Sequence, residues 1–244
     1  MFHKDGPSFL ELTRQALSET TQGYDLLAKK FNYTPFCTPE QLLEPVADIL
    51  AKGPQIHTML DLCCGTGSAM LAFRHLCLEK IVGVDLSEGM LEQARKSLAA
   101  QTSNNSSLPP FELIQRNALN IDFQQEFDLV TSWGAFGHIL PKDQDQFVRG
   151  IHNALKPGGR FVFATYLKPS AGSFPWLAAR GFNAAMHVRN TLFPQEFIMF
   201  YLTFYLERAV DVLSRHNFSL SISAPYQKLD YGRHMRLVTA TKQS

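Results

Sequence analysis

Apolar residues recur along the chain with two periods, and the alternation between them lays out the elements. From Phe9 to Lys30, Leu10, Leu12, Ala16, Leu17, Tyr24 and Leu27 stand among polar residues at helical spacing. A second helix is expected over Pro39 to Leu50, with Leu42, Leu43, Val46, Ile49 and Leu50 on one face and the Gly53-Pro54 pair as its stop. Met59-Leu60-Asp61-Leu62 is then a short, almost wholly apolar run, as a strand covered on both faces requires. It enters Cys63-Cys64-Gly65-Thr66-Gly67, and a helical pattern resumes at Ser68 with Met70, Leu71, Phe73 and Leu76. Ile81-Val82-Gly83-Val84-Asp85 repeats the arrangement, with Ser87 as an N-cap and Met90, Leu91, Ala94 and Leu98 on the helix that follows.

A polar loop, Gln101 to Pro110, leads to a third strand at Phe111 to Arg116, and a fourth is predicted over Phe127 to Trp133. Phe147, Val148, Ile151 and Leu155 mark a helix stopped by Pro157-Gly158-Gly159, before a fifth strand from Arg160 to Tyr166. Strands that alternate with helices build a parallel sheet with helices on both faces. Lys168 to Phe193 interrupts the alternation with Pro169, Gly172, Pro175 and Gly181 among aromatics, which predicts an insertion over the carboxyl edge of the sheet. After Pro194, the residues Phe197, Phe200, Tyr201, Phe204, Tyr205, Ala209, Val212 and Leu213 keep helical spacing as far as His216. Phe218 to Tyr226 and Met235 to Thr241 close the chain as two strands whose short connection suits an antiparallel hairpin.

The expected fold is therefore α/β, a doubly wound seven-stranded sheet, mostly parallel, with a C-terminal hairpin. It forms one domain over residues 1–244, with N-terminal helices or a lid over 1–52 and a helical, aromatic cap over 168–194. Two strand ends carry the chemistry. Gly65 and Gly67 let the backbone turn sharply and approach a bound molecule, with the free amides of the next helix beside them. Asp61 adds a carboxylate there, and Asp85, at the end of the second strand, can accept the hydroxyls of a ribose.

These residues resemble the class I S-adenosylmethionine-dependent methyltransferases, from about Tyr24 onward. The likeness rests on Leu60-Asp61-Leu62-Cys63-Cys64-Gly65-Thr66-Gly67, on Val82-Gly83-Val84-Asp85-Leu86-Ser87 followed by Met90-Leu91 and Ala94-Arg95, on Phe127-Asp128-Leu129-Val130, and on Leu155-Lys156-Pro157-Gly158-Gly159-Arg160-Phe161. It implies a Rossmann-like fold, S-adenosyl-L-methionine as cofactor, and methyl transfer by in-line displacement to a small-molecule acceptor.

The resemblance implies cofactor contacts at Tyr24, Tyr33, Asp61, Cys63, Gly65, Gly67, Asp85, Leu86, Met90, Asn117, Ala118 and Trp133. Tyr24 belongs to a Tyr-Asp-x-x-Ala segment that closes over the cofactor in related enzymes; its ring can equally pack the helix to the core. Cys63 stands where the family usually has a third glycine, and Asn117 where it commonly has an Asp that accepts from the adenine amino group. His138, brought to the cofactor edge, is a candidate general base or a residue that shapes its loop. Trp176, Phe182 and Phe193 in the cap are candidate acceptor contacts. The Asn/Asp-Pro-Pro-Tyr/Phe motif that holds a flipped base in adenine and cytosine amino-methyltransferases is missing after the fourth strand.

Two other readings fit part of the pattern. A nicotinamide-dependent oxidoreductase also has a strand, a glycine turn and a later acid, but Met70 occupies the place of its third glycine. A protein that binds the cofactor without catalysis would keep the same motifs. Composition narrows the partners: 23 Lys+Arg against 22 Asp+Glu leave no strong field for nucleic acid or an anionic membrane. Cys37, Cys63, Cys64 and Cys77 lack zinc spacing and read as free thiols of a reducing cytoplasm; no metal is expected. The N-terminus has no signal-peptide core, and the apolar stretch Phe197 to Leu206 is too short to span a bilayer. A monomer or homodimer without stable membrane insertion is expected.

Overall fold

The computed structural model describes residues 3–192, 204–230 and 232–243. Its centre is one seven-stranded sheet in the order β3-β2-β1-β4-β5-β7-β6. The strands are β1 (Ile56–Leu62), β2 (Cys77–Asp85), β3 (Phe111–Gln115), β4 (Phe127–Thr131), β5 (Leu155–Tyr166), β6 (Phe218–Ser223) and β7 (Met235–Lys242). The first five are parallel, and β7 runs antiparallel to both β5 and β6. The closing strands therefore pair as the expected hairpin, with β7 inserted between β5 and β6.

Helices cover both faces. α3 (Glu40–Ala51), α4 (Ser68–Phe73) and α5 (Glu88–Asn104) pack Leu43, Val46, Met70, Phe73 and Leu91 against Met59 and Ile81. α6 (Gln144–Ala154) and α8 (Leu206–Ser214) pack Phe147, Ile151, Val212 and Leu213 against Leu60, Leu62, Val82 and Val84. Successive residues of β1 and β2 thus serve opposite cores, which is why both strands read as unbroken apolar runs. Gly83 lets a helix approach the sheet closely: a Cβ there would lie 2.5 Å from Met70 Sδ.

Two expected elements come out differently, and the cap expected over 168–194 is helical. The helix from Phe9 to Lys30 divides into α1 (Phe9–Leu17), α2 (Thr20–Leu27) and a 3-10 turn over Ala28–Tyr33. Ser18 turns extended at the break, and its hydroxyl donates back to the Arg14 carbonyl, 2.8 Å away. The insertion is an ordered 19-residue helix, α7 (Phe174–Leu192). Pro175 falls in its first turn, where no amide donor is needed, and Gly181 is tolerated in its middle. The expected helix to His216 does not run through Phe204 and Tyr205. Tyr205 makes an isolated parallel bridge to Tyr166, and α8 starts only at Leu206. Phe204 instead stacks on Phe136, ring centres 4.1 Å apart. Phe193, Phe197, Phe200 and Tyr201 lie outside the described residues.

Candidate active site

β1 and β2 end side by side, with Asp61 paired to Gly83 and Asp85 to Gln115. Beyond their carboxyl ends lies a cavity of about 600 Å³. Asp61 lines it at only 2% exposure and accepts a hydrogen bond from Thr131 Oγ1, 2.6 Å away on neighbouring β4. Burial pushes its carboxyl up to about 7, the Thr131 hydroxyl opposes that, and the charge of Asp85 adds to it. Burial also raises the Asp85 carboxyl, against backbone amides that pull it down. Asp85 Oδ2 accepts from the Gly65 N–H at 2.8 Å and Oδ1 from the Ser87 N–H at 2.9 Å. Each of its oxygens keeps a second acceptor site.

The turn after β1 places Cys63, Gly65 and Gly67 in left-handed backbone, at φ of 55°, 53° and 84°. A Cβ on Gly65 would meet nothing within 4 Å, so the backbone there borders open space. Gly67 serves packing instead: it caps α4, a Cβ would lie 3.2 Å from Ala94 Cβ, and it does not line the cavity. Cys63 lines the cavity with a side chain in a conformation that costs an L residue about 1–2 kcal/mol. The family's glycine at this position has a physical reason, and Cys63 forgoes it. Burial holds the Cys63 and Cys64 thiols well above their usual range, so neither is a ready thiolate.

Leu86 and Met90 line the cavity beside Asp85. Ala118 and Asn117 line it past β3, where Asn117 Oδ1 accepts from the Leu119 N–H at 2.9 Å and so caps a short 3-10 turn. At the end of β4, Ser132 and Trp133 line it too, and among the described residues neither the Ser132 hydroxyl nor the Trp133 indole N–H has a partner. His138 reaches it from the 3-10 turn Phe136–His138. Tyr24 crosses from α2 to meet it, the phenol oxygen 3.2 Å from His138 Nε2 and the rings edge to face. The remaining wall is mostly apolar, with Phe31, Phe36, Leu140 and Phe204 among its residues, and also carries Arg116, Asp143 and several threonines.

Other sequence candidates stand apart. Tyr33 stacks on His3 at 4.8 Å and does not line the cavity. Trp176 lies under the Arg180 guanidinium, 4.8 Å away, and neither it nor Phe182 reaches the cavity wall. Sequence reasoning passed over Asp25 and Asn32. Asp25 Oδ1 accepts from the Ser87 hydroxyl and from the Gly89 N–H at 2.9 Å, clamping α2 onto the first turn of α5. Asn32 Oδ1 accepts from Thr66 Oγ1 at 2.6 Å, tying the same segment to the glycine turn. The signal was present for Asp25, adjacent to Tyr24 and followed by Ala28, whose Cβ lies 3.1 Å from where a Cβ on Gly89 would stand.

The donor set suits S-adenosylmethionine. A deeply buried carboxylate without a cationic partner among the described residues is complemented by an ammonium, a carboxylate at the end of β2 by ribose hydroxyls, and the open space over Gly65 by the chain between them.

Comparison with known proteins agrees. Residues 59–159 match the methyltransferase-domain family. The ubiquinone/menaquinone biosynthesis C-methyltransferase UbiE of Escherichia coli K12 is 35% identical over 115 residues, 46% of this chain and 43% of that protein. The chain thus spans less than half the length of that curated relative. Among solved structures, a methyltransferase of Methanosarcina mazei superposes at a TM-score of 0.63 with 15% identity, covering 80% of this chain and 97% of the other. The 1,6-didemethyltoxoflavin-N1-methyltransferase of Burkholderia thailandensis, with bound 1,6-didemethyltoxoflavin and S-adenosylhomocysteine, does so at 0.57 with 18% identity, covering 83% and 78%. The segment 59–159 matches the methyltransferase-domain family, and the chain as a whole has the fold of the solved methyltransferases.

Proposed function

We propose that the chain methylates a small, largely apolar acceptor carrying one ionisable or hydrogen-bonding group, held beside S-adenosylmethionine in the cavity at the carboxyl edge. The observation that carries this reading is the pair of carboxylates, Asp61 and Asp85, at adjacent strand ends on one cavity with a mostly apolar wall. Bound there, the cofactor supplies an already activated methyl group. The protein's work is then to align the acceptor and exclude water. Asp61 holds the ammonium end and Asp85 the ribose, with Leu86 and Met90 against the base. Phe31, Phe36, Leu140 and Phe204 shape the acceptor side.

His138 takes the acceptor's proton, directly or through Tyr24. In the second route the phenol passes its proton to Nε2 and receives the acceptor's in exchange. Four free thiols support a cytosolic setting. Calorimetric titration with S-adenosylmethionine, S-adenosylhomocysteine and NADH, followed by a screen of acceptors with labelled methyl donor, tests the proposal. Binding of both adenosyl compounds but not NADH, with label transferred to an aromatic or aliphatic small molecule, is expected. Tight NADH binding or no adenosyl binding would overturn it.

A further inference from the structure

α7 is built the wrong way round for a helix that only covers a core. Phe174, Leu177, Gly181, Val188 and Leu192 recur three, four, seven and four residues apart, with Ala184 and Ala185 filling the longer gap, so they share one face. That face is turned outward: Phe174 is 84% exposed, Leu177 55%, Val188 59% and Leu192 71%. The opposite stripe, Trp176, Ala179, Asn183, Met186 and Asn190, is the one buried or half-buried. α1 continues the exposed apolar surface with Phe9, Leu10 and Leu17, and the Arg189 guanidinium joins the two helices by donating to the Ser18 carbonyl at 2.9 Å.

Charge says what this face meets. The whole chain is almost neutral, yet no Asp or Glu occurs between Asp145 and Glu196, while Lys168, Arg180 and Arg189 lie on or just before α7. Arg180 is exposed at the flank of the apolar stripe, its stem and guanidinium lying along the Trp176 ring. An apolar face edged by cations is the pattern of a helix that lies in the surface of an anionic bilayer, with the aliphatic stems buried and the charges at headgroup level. A second copy of the chain would bring the same cations against themselves.

We infer that α7, with the exposed end of α1, docks the protein peripherally on an anionic lipid surface. No described helix is long and apolar enough to cross a membrane, so the contact is interfacial. The overall charge balance concealed it because acids elsewhere offset the acid-free stretch that holds α7; on α1, Glu11 is paired with Lys30 at 2.8 Å. The inference rests on the surface of α7 and is independent of the proposed methyl transfer.

The test is co-sedimentation of the full chain with vesicles of phosphatidylcholine alone and of phosphatidylcholine with phosphatidylglycerol, at low and high salt, alongside light scattering. Binding to the anionic vesicles that weakens with salt is expected. The double variant Leu177→Ser, Val188→Ser should bind at least tenfold more weakly, and Arg180→Glu about fivefold more weakly. Leu78→Ser removes a side chain equally exposed, at 55%, at the start of β2, and should change nothing. Absence of binding to anionic vesicles would overturn the inference. So would an equal loss in Leu78→Ser, or a concentration-dependent dimer that the α7 double variant dissolves while vesicles bind neither protein.

Discussion

Replacing Asp61 by Asn separates what this side chain does to the fold from what it does for a ligand. Its carboxyl is raised from 3.8 to about 7, chiefly by burial. Below pH 3.8 the folded and unfolded chains both hold the proton, and the group contributes nothing to pH dependence. Between 3.8 and about 7 the folded state keeps a proton that the unfolded chain has lost, so stability falls as pH rises. Above about 7 the loss is complete, and the gap corresponds to about 4 kcal/mol. Asp61→Asn removes the charge but keeps an oxygen to accept from Thr131 Oγ1. The ligand-free variant should therefore be more stable than the parent at pH 8, by about 2–4 kcal/mol or roughly 5–10 °C in Tm.

Thermal denaturation at pH 4, 6 and 8 reads this directly, and the advantage of the variant should close toward pH 4. S-adenosylmethionine should reverse the order at pH 8, raising Tm of the parent much more than of the variant, because the ammonium then meets a charge in one and an amide in the other. A variant no more stable than the parent at pH 8, or an advantage that does not change with pH, would refute the reasoning.

Asp85→Ala should weaken S-adenosylmethionine by one to two decades in a calorimetric titration, since a charged acceptor of two hydroxyls is worth about 1.5–3 kcal/mol. Asp85→Asn keeps one acceptor oxygen, enough for the Gly65 amide or the Ser87 amide but not both, so a fall in ligand-free Tm alongside the loss of affinity would assign part of the effect to the turn. Asp25→Ala should raise the cofactor's KM several-fold and speed hydrogen exchange in α2, because Ser87 and Gly89 lose the acceptor that holds that helix; unchanged exchange would show that the clamp carries no weight. With an acceptor in hand, His138→Gln should lower kcat by about two to four decades and remove the acid limb of the pH profile while cofactor affinity holds. Tyr24→Phe separates the two proton routes: a fall close to that of His138→Gln assigns the relay to the phenol, and near-native kcat assigns the transfer to His138 directly.

The sheet was legible because its strands are covered on both faces and the helices between them are not. Met59 and Leu60 serve opposite cores, so β1 reads as an apolar run, while Met90, Leu91, Ala94 and Leu98 keep the three- and four-residue spacing of α5. The connections that depend on a single hydroxyl or ring were not legible. Ser18 breaks a helix whose apolar spacing continues through it, and Phe204 leaves a helical register to stack on Phe136, a partner that periodicity cannot name. The insertion was visible as an insertion. That it is helical was expected, but not where its helix begins, because the first-turn position of Pro175 is known only once the helix start is known, and Gly181 costs a helix too little to mark a break. In the site, Asp61, Asp85 and the glycine turn followed from strand ends, which sequence marks well. Asp25 and Asn32 act through the loops they hold and carry no periodic signal.

Several departures from local structural rules gather at one place. Cys63 takes a left-handed backbone that favours glycine, Asp61 is a carboxylate buried against the charge of a second carboxylate, and Ser132 and Trp133 bury polar atoms that nothing among the described residues satisfies. All four line one cavity. The two buried cations outside the cavity are matched: the Arg74 guanidinium donates to two carbonyls and the Thr102 hydroxyl, and Lys242 Nζ to the carbonyls of His152 and Leu155. Among the described residues Asp61 has no cation beside it, which suits a ligand that brings one. The same departures make the cavity the costliest part of the fold to keep empty, so ligand binding and folding stability are coupled through Asp61, and the pH at which that coupling is strongest lies above the raised carboxyl value, near and beyond neutrality.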